Sequence, residues 1–132
     1  MSVKVGINGF GRMGRLALRA GWLHEEYDFI QVNEISTDAK GSAHLLKFDS
    51  VHGTWEPEVG SNPGAILIQD QHVSYSANHG IAETDWSACD IVIEATGKHH
   101  KKPETLQAYF DQGVNKVIVA APTEGALNIV YG

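Results

Sequence analysis

Four short apolar runs, at residues 3–7, 29–32, 91–95 and 117–120, are rich in Val and Ile and spaced along the chain like strands of a buried parallel sheet. Helical patterns lie between them. Residues 12–23 predict a helix with Leu16, Ala17, Ala20 and Leu23 on one stripe, and residues 39–48 predict another that gathers Ala43 and Leu46. A third is predicted over 103–112, where proline takes a first-turn position and Gly113 supplies the stop. Residues 66–68 and 72–76 flank a polar turn and read as a hairpin or a broken strand pair. Residues 128–131 suit one more strand, whereas 60–64 (Gly-Ser-Asn-Pro-Gly) carry two turn signals and read as a loop. No internal repeat or linker interrupts this order. Strands alternating with helices predict an α/β fold, a doubly wound parallel sheet of Rossmann type, as one dinucleotide-binding domain over residues 1–132. In such a sheet ligands sit at the carboxyl ends of the strands.

Composition narrows the classes. A chain of 132 residues suits a single domain with a core of its own. Its single cysteine, Cys89, excludes an intrachain disulfide and fits a reducing compartment, so cytoplasm is the expected location. No apolar run approaches the ~20 residues needed to span a bilayer, and the first residues lack the pattern of a secretory signal. Neither membrane nor nucleic acid is an expected partner, because a formal net charge of −6 repels phosphate backbones. Lys98, Lys101 and Lys102 form the one basic cluster and read as a solvated helix entry. The seven histidines have no metal-ligand spacing and no metal is expected.

The informative chemistry is Gly9-Phe10-Gly11-Arg12-Met13-Gly14, a Gly-x-Gly-x-x-Gly string that follows a predicted strand and opens a predicted helix. Gly9 would permit the tight turn, Gly11 would let the backbone approach a pyrophosphate, and Gly14 would let helix and strand pack closely. The helix start adds unpaired N–H groups and a positive dipole end. The bland alternative is a glycine-rich turn with no ligand. A second feature weighs against it: Glu34 ends the next predicted strand, where a carboxylate can accept hydrogen bonds from ribose hydroxyls and repel a 2′-phosphate. NAD is therefore expected over NADP. A third feature, Ala95-Thr96-Gly97, ends another buried strand at the same sheet edge, from which Thr96 and Gly97 could reach a cofactor.

Together these strings resemble the amino-terminal, NAD-binding domain of glyceraldehyde-3-phosphate dehydrogenase. Ile7–Arg15 (INGFGRMGR) carries the resemblance most specifically, supported by Lys47–Gly53 (KFDSVHG), Glu94–Lys98 (EATGK) and Val114–Pro122 (VNKVIVAAP). Within the family, the strings LALRAGW, HLLKFDSVHG and PETLQAYFDQGV are most similar to the branch encoded beside arsenate-resistance genes. The resemblance implies that Asn8, Gly9, Phe10, Gly11, Arg12 and Met13 surround adenosine and pyrophosphate, that Asn33 and Glu34 meet the adenosine ribose, and that Thr96 and Gly97 line the path to nicotinamide. Three departures stand out: Glu34 for the usual aspartate, Ala95 for the usual serine, and SANHGIAETDW in place of an Arg-Asp-Pro segment.

The family's nucleophilic cysteine and its histidine belong to a second domain, and the Ser-Cys-Thr-Thr-Asn segment that the resemblance implies does not occur here. No catalytic residue is assigned. Cys89, just before a buried strand, reads as a packed, unreactive thiol. Three readings remain open at this stage. The chain is an NAD-binding module without catalysis of its own, part of an enzyme whose catalytic half lies in another chain or of a full dehydrogenase from which this is an engineered piece, or an interaction module that kept the fold without the cofactor. Self-association into a homo-oligomer is expected in each case where a companion domain's contact surface is left open.

Overall fold

The structure, a computed structural model, describes residues 2–49, 53–99, 103–120 and 127–131. One mixed sheet organises them. Strand β1 (Val3–Asn8) leads through helix α1 (Arg12–Trp22) to β2 (Tyr27–Asn33), and α2 (Ala39–Lys47) follows. Two-residue strands β3 (Phe48–Asp49) and β4 (Gly53–Thr54) pair with each other apart from the main sheet. Next come β5 (Val59–Asn62), β6 (Ala65–Ile68) and β7 (Gln71–Ser76), then β8 (Ile91–Glu94), a short helical stretch ending in α3 (Gln107–Phe110), β9 (Lys116–Ala120) and β10 (Leu127–Tyr131). Across the sheet the order is β10-β9-β8-β1-β2-β7-β6-β5.

The five central strands, β9 to β7, run parallel. Antiparallel β6 and β5 extend one edge and antiparallel β10 the other. The Rossmann-type parallel sheet is thus present, flanked by antiparallel edges that include the strand pair expected over 66–76 and the strand expected over 128–131. From β1 the chain crosses to β2 on one side, and from β8 it crosses to β9 on the other. The sheet therefore reverses its winding between β1 and β8, where a crevice must open.

Each face has its own core. Val5 and Ile7 of β1 point to the face covered by α1 and α2, with Leu18, Phe29, Leu46 and Ile66. Gly6 points the other way, where a Cβ would stand 2.7 Å from Cys89 Sγ and 2.8 Å from the Trp86 ring. Those two residues belong to the second core with Val92, Leu106, Tyr109 and Val117. Period-two alternation along one strand thus serves both cores.

Three expectations need correction, and one open alternative is resolved. The buried face of α1 is not Leu16, Ala17, Ala20 and Leu23, since Leu23 is 77% exposed and Ala20 is also exposed. It runs instead through Gly14 and Leu18, with Gly21 against Phe29, where a Cβ would lie 2.6 Å from the ring. Glycines let the helix lie close to the sheet, and they carry no hydrophobic signal. Residues 60–64 are not all loop: Val59–Asn62 is an edge strand, and only Pro63-Gly64 turns into β6. The segment expected as a helix over 103–112 is a 3-10 turn, Pro103–Leu106, followed by one α-turn. The 66–76 ambiguity resolves as a true hairpin, in which Gln69 and Asp70 both take positive φ, 50° and 67°. Two such residues in succession match a two-residue turn of the type that follows strand twist.

Candidate cofactor site at the strand carboxyl ends

Three backbone hydrogen bonds level the carboxyl ends of the central strands into a floor: Ala95 N to Asn8 O (2.7 Å), Gly9 N to Asn33 O (2.8 Å) and Glu34 N to Ser76 O (2.9 Å). The glycine loop rises from it. Gly9 takes φ +95°, and a Cβ there would lie 2.5 Å from the Ala95 carbonyl carbon, so both conformation and space demand glycine. Gly14 packs its backbone against the Gly9 carbonyl and Ile7. Above Gly11, by contrast, a Cβ would meet nothing within 4 Å, which leaves open space over the head of α1. Gly11 is also the N-cap of α1 and supplies no side-chain cap. The first-turn amides and the positive dipole end therefore face that space, the arrangement that attracts an anion such as a pyrophosphate.

Glu34 stands beside this loop. Its Oε1 accepts from Phe10 N at 2.6 Å and its Oε2 from Ser36 N at 2.8 Å. Burial alone would raise this carboxyl, but hydrogen bonds from Ser36, Phe10 and Ile35 outweigh it and hold the group below its ordinary value. Arg15 clasps the loop from the helix side, its Nη1 donating to Phe10 O at 3.0 Å. The Phe10 ring itself is buried in the core beneath.

Under the floor runs a buried polar chain. Asn33 donates through Nδ2 to Asn8 Oδ1 (3.0 Å) and to Asn78 O (2.9 Å), while its Oδ1 accepts from Ser76 Oγ (2.7 Å) and Asn78 N (2.9 Å). Asn8 Nδ2 donates to Tyr109 Oη (2.7 Å) and Glu94 Oε1 (3.2 Å), and Tyr109 Oη donates to Glu94 Oε1 (2.6 Å). Glu94 Oε2 accepts from both Thr96 N (3.0 Å) and Thr96 Oγ1 (2.5 Å). The Glu94 side chain is 1% exposed, and the His99 imidazole stands 4.0 Å from its Oε1. Burial, then the Glu94 carboxylate, pushes the Tyr109 phenol far above its ordinary value, so it remains a donor. Cys89, packed at 2% exposure away from this crevice, has its thiol pushed up to about 12 by burial and two nearby aspartates.

Of the residues expected at the site, Asn8, Gly9, Gly11, Asn33, Glu34 and Thr96 line one crevice of about 170 Å³. Arg12 and Met13 sit in the first turn of α1, and Gly97 turns away from β8 with φ +76°. None of these three lines the crevice, nor does Phe10, whose N–H instead holds Glu34. The crevice also takes in Ile35, Asn78, His79, Ala95 and Lys98, which the sequence did not single out as binding residues. Asn78 and His79 arrive because β7 runs parallel to β2 and so ends at the same sheet edge. The segment SANHGIAETDW, a departure from the family's Arg-Asp-Pro, is the signal that could have found them. A larger cavity of about 930 Å³ lies at the opposite, amino-terminal edge of the parallel strands, lined by Leu23 and Trp55 and by the acids Glu56, Glu58 and Asp70, which repel an anion. Convergent polar groups, rather than size, select the crevice.

Known proteins agree with this geometry. Residues 3–102 match the family model described as glyceraldehyde 3-phosphate dehydrogenase, NAD binding domain. The whole chain is 53% identical to glyceraldehyde-3-phosphate dehydrogenase 3 of Nostoc sp., covering 40% of that protein. It is 38% identical to the glyceraldehyde-3-phosphate dehydrogenase of Geobacillus stearothermophilus, again over 100% of this chain and 40% of the relative. With glyceraldehyde-3-phosphate dehydrogenase 1 of Bacillus cereus it shares 38% identity over 98% of the chain and 39% of the relative. The chain thus spans about 40% of the length of the curated relatives it matches. With a glycine loop at the head of α1, an acid ending β2 and a winding reversal beside them, it belongs to the family of glyceraldehyde-3-phosphate dehydrogenase NAD-binding domains.

Proposed function

We propose that this chain holds NAD in the crevice, with the pyrophosphate against the amides of Gly11, Arg12 and Met13 and the adenosine ribose against Glu34. The observation that carries the reading is the open space above Gly11 next to a carboxylate already oriented by Phe10 N. Phe10 N and Ser36 N each take one oxygen of the carboxylate, and ribose hydroxyls would bind its remaining lone pairs in exchange for the looser contacts from Ile35 and the Ser36 hydroxyl. The extra 2′-phosphate of NADP would meet that charge at close range. Ile35, Asn78 and His79 then face the adenine, and Thr96 and Gly97 the nicotinamide half.

Oxidation of an aldehyde, with phosphate as acceptor, belongs to a cysteine and a histidine outside these residues, in a catalytic domain that this chain serves. The strings shared with the arsenate-resistance branch support arsenate as an alternative acceptor. A cytoplasmic setting fits the single unpaired cysteine, and the exposed Leu45 and Phe48 support homo-oligomer contacts.

Titration calorimetry tests the cofactor reading. NAD should bind with at least tenfold preference over NADP, and no heat at millimolar NAD would overturn the proposal. For the division of labour, NADH formation is assayed from glyceraldehyde 3-phosphate with phosphate or arsenate. The 132-residue chain alone should be inactive, and turnover by it would place the nucleophile within these residues.

A further inference from the structure

We propose that Glu94 is a positioning residue that fixes the hydrogen-bond polarity of the crevice wall at Thr96. It holds the Thr96 hydroxyl so that this group accepts, and does not donate, toward the bound molecule. The wall would then take a ribose hydroxyl or a carboxamide N–H and turn away phosphate and carbonyl oxygens.

The argument is one of donor counting. Glu94 receives four donors, Asn8 Nδ2 and Tyr109 Oη on Oε1, Thr96 N and Thr96 Oγ1 on Oε2. Amide hydrogens cannot reverse, and Tyr109 already accepts from Asn8, so its own hydrogen is free only for Glu94. An acceptor-only carboxylate is the complement of that set. The Thr96 hydroxyl has one hydrogen, and it points at Glu94. One of its lone pairs accepts from Lys98 N at 3.2 Å, which leaves the other for the crevice that Thr96 lines. The two walls then have opposite character: amide donors at the head of α1, an acceptor at Thr96. The anionic centre of a dinucleotide is then drawn to the head of α1 and a hydroxyl of the sugar beside it to Thr96. Because Glu94 is 1% exposed, no water relieves a mismatch there.

This inference rests on the cofactor reading, and the test separates the two. NAD and AMP affinities are measured by calorimetry for the wild-type chain, E94Q, T96V, T96S and the E94Q/T96V double variant. E94Q puts an N–H2 against donors whichever way it turns, so NAD should bind about tenfold more weakly, while AMP, which ends before Thr96, is unchanged. T96V should lose about the same, and T96S should match wild type. The double variant should bind no more weakly than T96V, because the two groups act through one contact. Multiplying losses in the double variant, or wild-type affinity in E94Q, would overturn the proposal. If E94Q does not fold, the T96V and T96S pair decides, since equal affinities would overturn it. Proton NMR gives a readout without cofactor: the Thr96 hydroxyl proton should exchange slowly in the wild type, and a rapidly exchanging one overturns the assignment. Absence of NAD binding by a folded wild type with a slow hydroxyl would sink the cofactor reading and leave the polarity standing.

Discussion

Phe10 N donates to Glu34 Oε1 at 2.6 Å, so the acid that ends β2 ties down the glycine loop that follows β1. Its folded pKa lies below the unfolded one, held there by hydrogen bonds from Ser36 and Phe10 against the opposing pull of burial. The stabilisation is complete above the unfolded value near ~4.3 and is lost as pH falls through the folded value. Thermal melts between pH 6 and pH 2.5 should show this loss in the wild type and a shallower one in E34Q. Parallel pH profiles for the two proteins would contradict the latch.

Gly9 and Gly11 should separate folding from binding. At Gly9, φ +95° and a clash with the Ala95 carbonyl make G9A costly, by roughly 3 kcal/mol from strain and overpacking. At Gly11 the backbone is ordinary and the space open, so G11A should cost no more than about 1 kcal/mol, the loss from alanine at an N-cap, and lose about tenfold in NAD affinity. Urea titration and calorimetry on both variants check the pair; equal stability of the two would refute the assignment.

Arg19 holds the turn after α2 to the body of the domain. Its guanidinium donates to Leu46 O (2.6 and 3.0 Å), Lys47 O (3.2 Å) and Gly53 O (3.1 Å), and it lies 5.9 Å from the Trp55 ring centre. R19A should cost about 2 kcal/mol, and R19K should recover little because an ammonium cannot span three carbonyls in one plane. Amide exchange at Trp55, whose N–H bonds Lys47 O at 2.7 Å, should accelerate more than exchange at Val5 in the sheet.

Cys89 should be silent in the folded protein. With its thiol pushed up to about 12, the thiolate fraction at pH 8 is on the order of one in ten thousand, and the group is buried. A thiol-exchange reagent at pH 8 should label it only after denaturant is added. Prompt labelling of the native chain would mean the second core opens readily.

Much of the candidate site is legible in the sequence because it is written locally. A strand, three glycines and a helix start occupy Val3–Asn8 and the residues after it, and turn geometry within that string dictates why each glycine is needed. Glu34 was legible for a related reason: an acid one residue past a strand end has few places to be. The face of α1 was not, since Gly14 and Gly21 bury backbone rather than side chain and leave no apolar periodicity. Nor was β5, whose Gly-Ser-Asn reads as turn until β6 offers it a partner.

The amino-acid order by itself therefore determined the class of sheet, the glycine loop and the family, all of which rest on short-range spacing and local backbone chemistry. The tertiary structure alone decided where β7 runs, which residues it carries to the crevice, and how the floor is wired. Asn8 meets Tyr109 across 101 positions of chain and Glu94 across 86. Pairings at that separation are chosen by how the strands stack, by the unfavourable cost of a buried polar group left alone, and by nothing that neighbouring residues can spell out.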